Sequence, residues 1–346
     1  MITRILLLLL FFLINTQIFP KNVSIDIKKY VKIGGIDQWI TIKGDNINNP
    51  AILFLHGGPG SVMSPFYENI YSKWEKEYIL INWDQRGAGR TFGRNAPDKI
   101  DENYWIENKL TLDQMVKDGI ELTEFLTKYL NKQKVILIGT SWGSILGAKM
   151  ALARPDLYFA YLGHSQFVDY KENLEYAYRT VLELAKKSDD TISIEKLNFL
   201  GKPPYKHARS LGKMLRIVKQ YEHKHTTPAP ENWWKLSPEY DNMVDSSSRF
   251  NGDDYSFLYF AGDEKLGIKS MAEDVNFNRD GIEFKIPVYL IEGEKDILTA
   301  SEINEPYFDK ISAPDKAYYL IPDAGHGYNQ SVVDTQYQIL REKLKF

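Results

Sequence analysis

The stretch Val135-Ile136-Leu137-Ile138-Gly139-Thr140-Ser141-Trp142-Gly143 decides how the rest of the chain is read. Four consecutive apolar residues, rich in β-branched side chains, predict a fully buried strand. A turn of small residues follows. Beyond it, Gly143, Gly147 and Ala148 leave room for a helix to pack closely on a sheet, and Pro155 lies past its end. A serine between two glycines at a strand-to-helix turn is the context of a nucleophile elbow. The sharp turn lifts the hydroxyl above the sheet, and side chains at the flanking positions would collide with neighbouring backbone. Ser141 is therefore the candidate nucleophile.

Outward from this turn the same pattern recurs. Short apolar runs at 51–55, 78–83, 159–162, 288–291 and 318–321 alternate with helical periodicity. Continuous apolar strands with helices between them predict an α/β fold, a mostly parallel sheet with helices on both faces. Upstream, Tyr30-Val31-Lys32-Ile33 and Trp39-Ile40-Thr41-Ile42 flank Gly34-Gly35 and predict an antiparallel hairpin. The best-marked helix follows Thr111, which forms a capping-box pattern with Gln114 ahead of an apolar stripe that includes Met115, Leu122 and Leu126. A last helix is expected over about 331–344. Between roughly 165 and 285 the alternation stops. That segment is rich in Tyr, Trp, Glu and Lys, holds Pro203-Pro204 and Pro228-Ala229-Pro230, and reads as a largely helical cap inserted between two strands. The chain is accordingly divided into a leader (1–20), a first core part (21–164), the cap (165–285) and a second core part (286–346).

Composition narrows the function. The 346 residues are 43% hydrophobic and 26% charged with a formal net charge of -3, which fits a globular chain able to bury a sizeable core. No long run of Lys or Arg provides an electrostatic footprint for nucleic acid or an anionic membrane, so a small-molecule or short-peptide partner is expected. Cysteine is absent, which excludes disulfides, a cysteine nucleophile and a lipid-modified cysteine. At the N-terminus Arg4 precedes an apolar run over 5–14 and the polar Asn15-Thr16-Gln17, the layout of a secretory signal peptide. The run falls short of the roughly 20 residues of a membrane span. Export to the periplasm or medium is expected. No small-x-small triplet precedes Lys21, so an uncleaved anchor and a buried N-terminal helix stay open as alternatives.

A hydroxyl is a weak nucleophile and needs a base, which in turn needs an orienting carboxylate. Of the six histidines, His164 closes a strand and His207, His223 and His225 fall in the cap, whereas His326 lies in Ala324-Gly325-His326-Gly327 after the last predicted strand. His326 is the expected base. The strand before it is followed by Glu292-Gly293-Glu294-Lys295-Asp296, from which Asp296 is chosen as the acid, with Glu294 and Glu292 in reserve. His56-Gly57-Gly58-Pro59-Gly60 directly follows the strand at 51–55 and exposes backbone donors of the kind an oxyanion hole requires. They are assigned to Gly58, with Gly57 as the alternative, and to Trp142, the residue after the nucleophile. His56 is read as orienting this loop. No metal or organic cofactor is implied.

HGGPG at 56–60, WDQRGAGR at 83–90, GTSWG at 139–143, GEKD at 293–296 and AGHG at 324–327 occur in an order that resembles the proline iminopeptidase-like branch of the α/β hydrolases, over about residues 30–346. The resemblance implies an α/β-hydrolase fold, an acyl-enzyme mechanism with a Ser-His-Asp triad, and release of N-terminal proline or another small residue from short peptides. It also implies that Asp84-Gln85-Arg86-Gly87 is scaffold. The sequence departs from the family pattern in two places: Thr140 stands where glycine usually precedes the nucleophile, and Trp233-Trp234 runs into Lys235 instead of a W-x-x-W-E element. An aminopeptidase must pair a protonated amine with carboxylates. Glu172, Glu175, Glu222, Glu231, Asp253 and Asp254 are available in the cap; Glu175 is the nominee, with Gln166 at the end of the preceding strand as a second substrate contact. Trp233, Trp234, Phe257 and Tyr259 are candidates to line a pocket. An esterase, lactonase or amidase with the same triad is the main alternative, and a non-catalytic binder that keeps the fold is the second.

Overall fold

The computed structural model of the protein describes residues 23–97 and 99–344, so the leader expected at 1–20 lies outside the described residues. Eight strands form one sheet: β1 (Ile25–Ile33), β2 (Ile36–Gly44), β3 (Ala51–Leu55), β4 (Ile79–Trp83), β5 (Val135–Thr140), β6 (Tyr158–His164), β7 (Val288–Gly293) and β8 (Lys316–Ile321). Their spatial order is β1-β2-β4-β3-β5-β6-β7-β8. The β1–β2 hairpin and the β2–β4 pair are antiparallel, and every pair from β4 through β8 is parallel. Leu53 lies opposite Leu137, and Leu137 opposite Tyr161.

Strands β3, β4, β5 and β7 are buried at every position because helices cover both faces. Side chains alternate along each strand, so Leu53, Leu55 and Leu137 enter one core, while Ile52, Phe54, Ile136 and Ile138 enter the other. The helices are α1 (Tyr67–Tyr71), α2 (Gly89–Asn95), α3 (Glu102–Glu107), α4 (Leu112–Tyr129), α5 (Trp142–Ala153), α6 (Tyr170–Lys187), α7 (Thr191–Leu200), α8 (Ala208–His223), α9 (Met243–Ala261), α10 (Phe277–Asp280), α11 (Ser301–Lys310) and α12 (Gln330–Lys343). Residues of α4 and α5 join the first core; those of α1 and α12 join the second. At the start of α4 the Thr111 hydroxyl accepts the Gln114 N–H at 3.2 Å, but the Gln114 amide turns inward to Asp118 at 2.7 Å, so only half of the expected capping box forms.

Between β6 and β7 the chain is helical. On α6 the face made by Leu174, Ala177, Tyr178, Val181 and Ala185 is buried, and the Tyr178 hydroxyl reaches the Leu197 carbonyl of α7 at 3.2 Å. Helix α9 returns to the core, where Ser256 Oγ donates to the Gly87 carbonyl at 2.7 Å. Among the described residues no helix is long and apolar enough to cross a membrane.

Candidate active site

Ser141 sits where β5 gives way to α5, at φ 55° and ψ −119°. A non-glycine residue in this region is held there by its surroundings. The Ser141 N–H donates to the His164 carbonyl at 3.0 Å, and its own carbonyl accepts from Ser144 N at 2.8 Å and Ser144 Oγ at 2.5 Å. The glycines have steric reasons to be glycine: a Cβ on Gly139 would stand 2.3 Å from the Gly143 carbonyl oxygen, and one on Gly143 would stand 2.1 Å from that of Leu55.

His326, in the loop after β8, is brought to the serine from the far edge of the parallel sheet. Its Nε2 lies 2.8 Å from Ser141 Oγ, and its Nδ1 lies 2.8 Å from Asp296 Oδ2. Asp296 is buried in the loop after β7. Its carboxylate also accepts from Leu298 N (2.9 Å), Thr299 N (2.8 Å) and Thr299 Oγ1 (2.6 Å). Burial alone would raise this carboxyl's pKa, but the neighbouring imidazole and these hydrogen bonds hold it well below the usual range. Burial disfavours an imidazolium at His326, yet the Asp296 charge and hydrogen bond outweigh it and raise the ring's pKa. The reserve acids take other roles. Glu294 is exposed and pairs with Lys295 at 3.4 Å. Glu292 is buried, and burial, followed by the Asp296 charge, pushes its carboxyl well above the ordinary range.

The glycine loop after β3 borders the serine. A Cβ on Gly57 would lie 3.3 Å from Ser141 Cβ. The Gly57 carbonyl faces into its own loop, accepting from Ser61 N at 3.2 Å and His56 Nδ1 at 2.9 Å. In a trans peptide the adjoining Gly58 N–H points the opposite way. It meets no backbone acceptor among the described residues. Trp142 opens α5, and the N–H groups of a first turn have no acceptor in their helix. His56 is buried, which lowers its pKa to about 4 and keeps the ring neutral; Nδ1–H donates to Gly57 O, and Nε2 accepts Gln85 N–H at 3.3 Å. Sequence reasoning did not single out Gln85. Its Nε2 donates to the His56 carbonyl at 3.1 Å, and its Oε1 accepts the Trp142 indole N–H at 3.1 Å, so one side chain ties the glycine loop to the elbow. Its signal is the position of Asp84-Gln85-Arg86-Gly87 directly after β4. Arg86 faces away, bidentate on Asp118 at 2.6 and 3.2 Å and donating to Gly34 O at 2.7 Å.

Neither nominated substrate contact is hydrogen-bonded to Ser141, His326 or Asp296 among the described residues. Glu175 is exposed, because α6 buries the face carrying Leu174 and Tyr178 and turns Glu175 to solvent. Gln166 is buried and internally engaged: Nε2 donates to Phe167 O at 2.7 Å, Oε1 accepts Tyr161 OH at 2.6 Å, and its carbonyl accepts Asn304 Nδ2 at 2.8 Å. Gln166 thus has its polar atoms committed within the protein, and the Glu175 carboxylate faces solvent. The cap carboxylates that reach the site are Glu222, whose Oε1 accepts Ile297 N at 2.7 Å, and Asp253, which accepts Ser61 Oγ at 3.0 Å. Thr140 is accommodated by a polar contact, its hydroxyl accepting Tyr328 OH at 2.7 Å beside His164 Nδ1 at 3.4 Å. Of the cap aromatics, Trp233 and Tyr259 are buried in the two cores, Phe257 packs partly buried on one, and exposed Trp234 rests edge-on against Phe66. A cavity of about 570 Å³ between the α3–α4 connection and the 266–275 segment is lined by none of Ser141, His326 and Asp296.

Residues 50–328 match the family described as the α/β hydrolase fold. The chain belongs to that family. This α/β hydrolase is 27% identical over 313 residues to the Bacillus subtilis (strain 168) protein named "Probable aminopeptidase YbaC", covering 89% of this chain and 92% of that one. It is 30% identical over 117 residues to the proline iminopeptidase of Clostridioides difficile (strain 630), about a third of each chain (34% and 35%). Among solved structures, the proline iminopeptidase-related protein from Thermus thermophilus superposes with a TM-score of 0.59 at 17% identity, covering 91% of this hydrolase and 97% of the other chain, a likeness of fold.

Proposed function

We propose that this α/β hydrolase is a serine hydrolase with Ser141, His326 and Asp296 as its triad, acting as an aminopeptidase on short peptides with N-terminal proline or another small residue. The observation that carries the reading is the hydrogen-bonded line from Ser141 Oγ through both ring nitrogens of His326 to buried Asp296, with 2.8 Å at each step. Ser141 Oγ attacks the substrate carbonyl while His326 Nε2 takes its proton, and Asp296 fixes the ring and stabilises the imidazolium. The Gly58 and Trp142 N–H groups receive the oxyanion. His326 then protonates the leaving amine, and a water activated by the same ring hydrolyses the acyl-enzyme.

The choice of peptide bond over ester leans on the relatives' names and on the two cap carboxylates, Glu222 and Asp253, that a free amine would need. An esterase or amidase is the second reading, favoured by the missing W-x-x-W-E element and by the solvent-facing Glu175. Purified protein assayed on prolyl and alanyl arylamides and on short aryl esters separates the two. Faster turnover of the arylamides supports the aminopeptidase, and ester cleavage alone moves the assignment to the esterase. We further propose export to the periplasm or medium, on the Arg4 and 5–14 pattern. A cytoplasmic product still beginning at Met1 after cell fractionation contradicts it.

A further inference from the structure

One buried ionisable side chain outside the triad comes from the cap and touches both loops that carry the acid and the base. Glu222 lies next to the C-terminal end of α8. Its Oε1 accepts the N–H of Ile297, the residue after Asp296, at 2.7 Å. A Cβ on Gly325, the residue before His326, would meet both Cβ and Oε2 of Glu222 at 3.6 Å and Thr226 Cγ2 at 3.1 Å, so the histidine loop rests on the same helix end. The segment just beyond α8 is stitched to that loop as well: Thr227 N–H donates to Asp323 O at 2.8 Å, and Asn329 Nδ2 donates to Thr227 O at 3.5 Å. The two loops also hold each other, Lys295 N–H donating to Ala324 O at 2.8 Å. Acid loop, histidine loop and cap therefore meet at one carboxyl group.

We propose that Glu222 is a positioning residue that holds the Asp296 and His326 loops in register and makes the competence of the triad depend on the docking of α8. The inference rests on the triad reading above. Chemistry explains why the position carries a carboxyl group. Burial, and then the Asp296 charge, push Glu222 up to about 7, so near neutrality it passes between a neutral acid and an anion. In either form an oxygen accepts the Ile297 N–H. As an anion it also adds to the negative field on His326, already facing Asp296, and raises the ring's pKa. The other charged or titratable groups around this pair are Glu292 behind Asp296, His164 on β6 and Lys219 on α8 itself.

The test is the rate at which a small fluorophosphonate, which carries no amine, labels Ser141 across about pH 5 to 9 in wild type, Glu222→Ala, Glu222→Gln and Ser141→Ala. A role in binding a substrate amine does not affect this probe. Glu222→Ala leaves the buried Ile297 N–H without its acceptor and is expected to label about one to two decades more slowly. Glu222→Gln restores the acceptor without the charge. It is expected to recover most of the rate at alkaline pH, with the acidic limb of the profile moved to lower pH because His326 has lost a neighbouring anion. Wild-type labelling by Glu222→Ala, no recovery in Glu222→Gln, or an unmoved acidic limb overturns the proposal. If Glu222→Ala does not fold by circular dichroism, the Glu222→Gln profile decides alone. Absence of labelling in wild type, or labelling that survives Ser141→Ala, brings down the triad reading instead.

Discussion

Replacing Asp296 with asparagine changes one atom at the deepest point of the site. In the native arrangement Asp296 Oδ1 accepts Leu298 N and Thr299 N, and Oδ2 accepts Thr299 Oγ1 and His326 Nδ1–H. An asparagine keeps its carbonyl oxygen on the two backbone amides, since no other acceptor there satisfies them. Its NH₂ must then occupy the Oδ2 position. The Thr299 hydroxyl can rotate and accept, but His326 Nδ1 can accept only by surrendering its proton. The ring is then forced into the tautomer with Nε2–H, facing Ser141 Oγ 2.8 Å away. A protonated Nε2 cannot take the serine proton, so the loss is nearly that of removing the base, on the order of 10⁴ in kcat. At about 1.36 kcal/mol per decade this is roughly 5.4 kcal/mol of transition-state stabilisation. The pH profile carries a second sign. Asp296 raises the His326 pKa, and wild-type kcat/KM grows as pH climbs through that raised value, because only the neutral ring is a base. Without the carboxylate the ring gives up its proton at lower pH, and the residual activity levels off earlier. The assay is kcat and kcat/KM against pH on the best arylamide or aryl ester, with circular dichroism as a folding control. An asparagine variant within tenfold of wild type, or one whose acidic limb moves upward, refutes the assignment of Asp296.

Ser141→Ala is expected to lose on the order of 10⁴-fold or more in turnover while keeping its melting temperature, because Gly139 and Gly143 hold the turn without the hydroxyl; turnover assayed beside thermal denaturation checks both halves. Gly143→Ala sets a methyl carbon 2.1 Å from the Leu55 carbonyl oxygen, a rigid strand atom, and is expected to destabilise by about 3 kcal/mol or more in a urea titration. A wild-type midpoint contradicts that steric account. Acetylating the amine of a prolyl arylamide removes the cation that cap carboxylates would pair with, and kcat/KM is expected to fall by roughly two to three decades. Equal rates on free and blocked amides shift the assignment to an amidase or esterase.

The parts of the fold legible in the sequence were those fixed locally. Strands covered on both faces read as unbroken apolar runs, which is why β3 is bounded as expected. Strand β8 is the sheet's outer edge and is mostly half-exposed, so its first residues, Lys316 and Ala317, did not read as strand. Ser141 follows β5 directly, and Asp296 and His326 lie in the short loops just past β7 and β8, so short sequence windows pointed to them. The cap behaves differently. A helical pattern shows which face of α6 or α8 is apolar, but the helix's partner is set by packing between distant segments. Nothing near Glu222 distinguishes it from Glu172 or Glu231; its contact with Ile297 spans 75 positions. Glu175 fell on the solvent side of its helix, and Gln166 was drawn inward by Tyr161 and Asn304.

The Gln85 bridge between His56 and Trp142 separates the site into two kinds of construction. The proposed anion receptacle takes its donors from the sheet-bearing part of the chain, cross-braced by one amide, and meets the cap where Asp253 of α9 accepts Ser61 Oγ. The proton-transfer half leans on α8 through Glu222. Exchanging the 165–285 segment for that of another hydrolase would keep the donors of the proposed receptacle and the Gln85 brace, while Ser61 and the base would each have to be fitted to new neighbours.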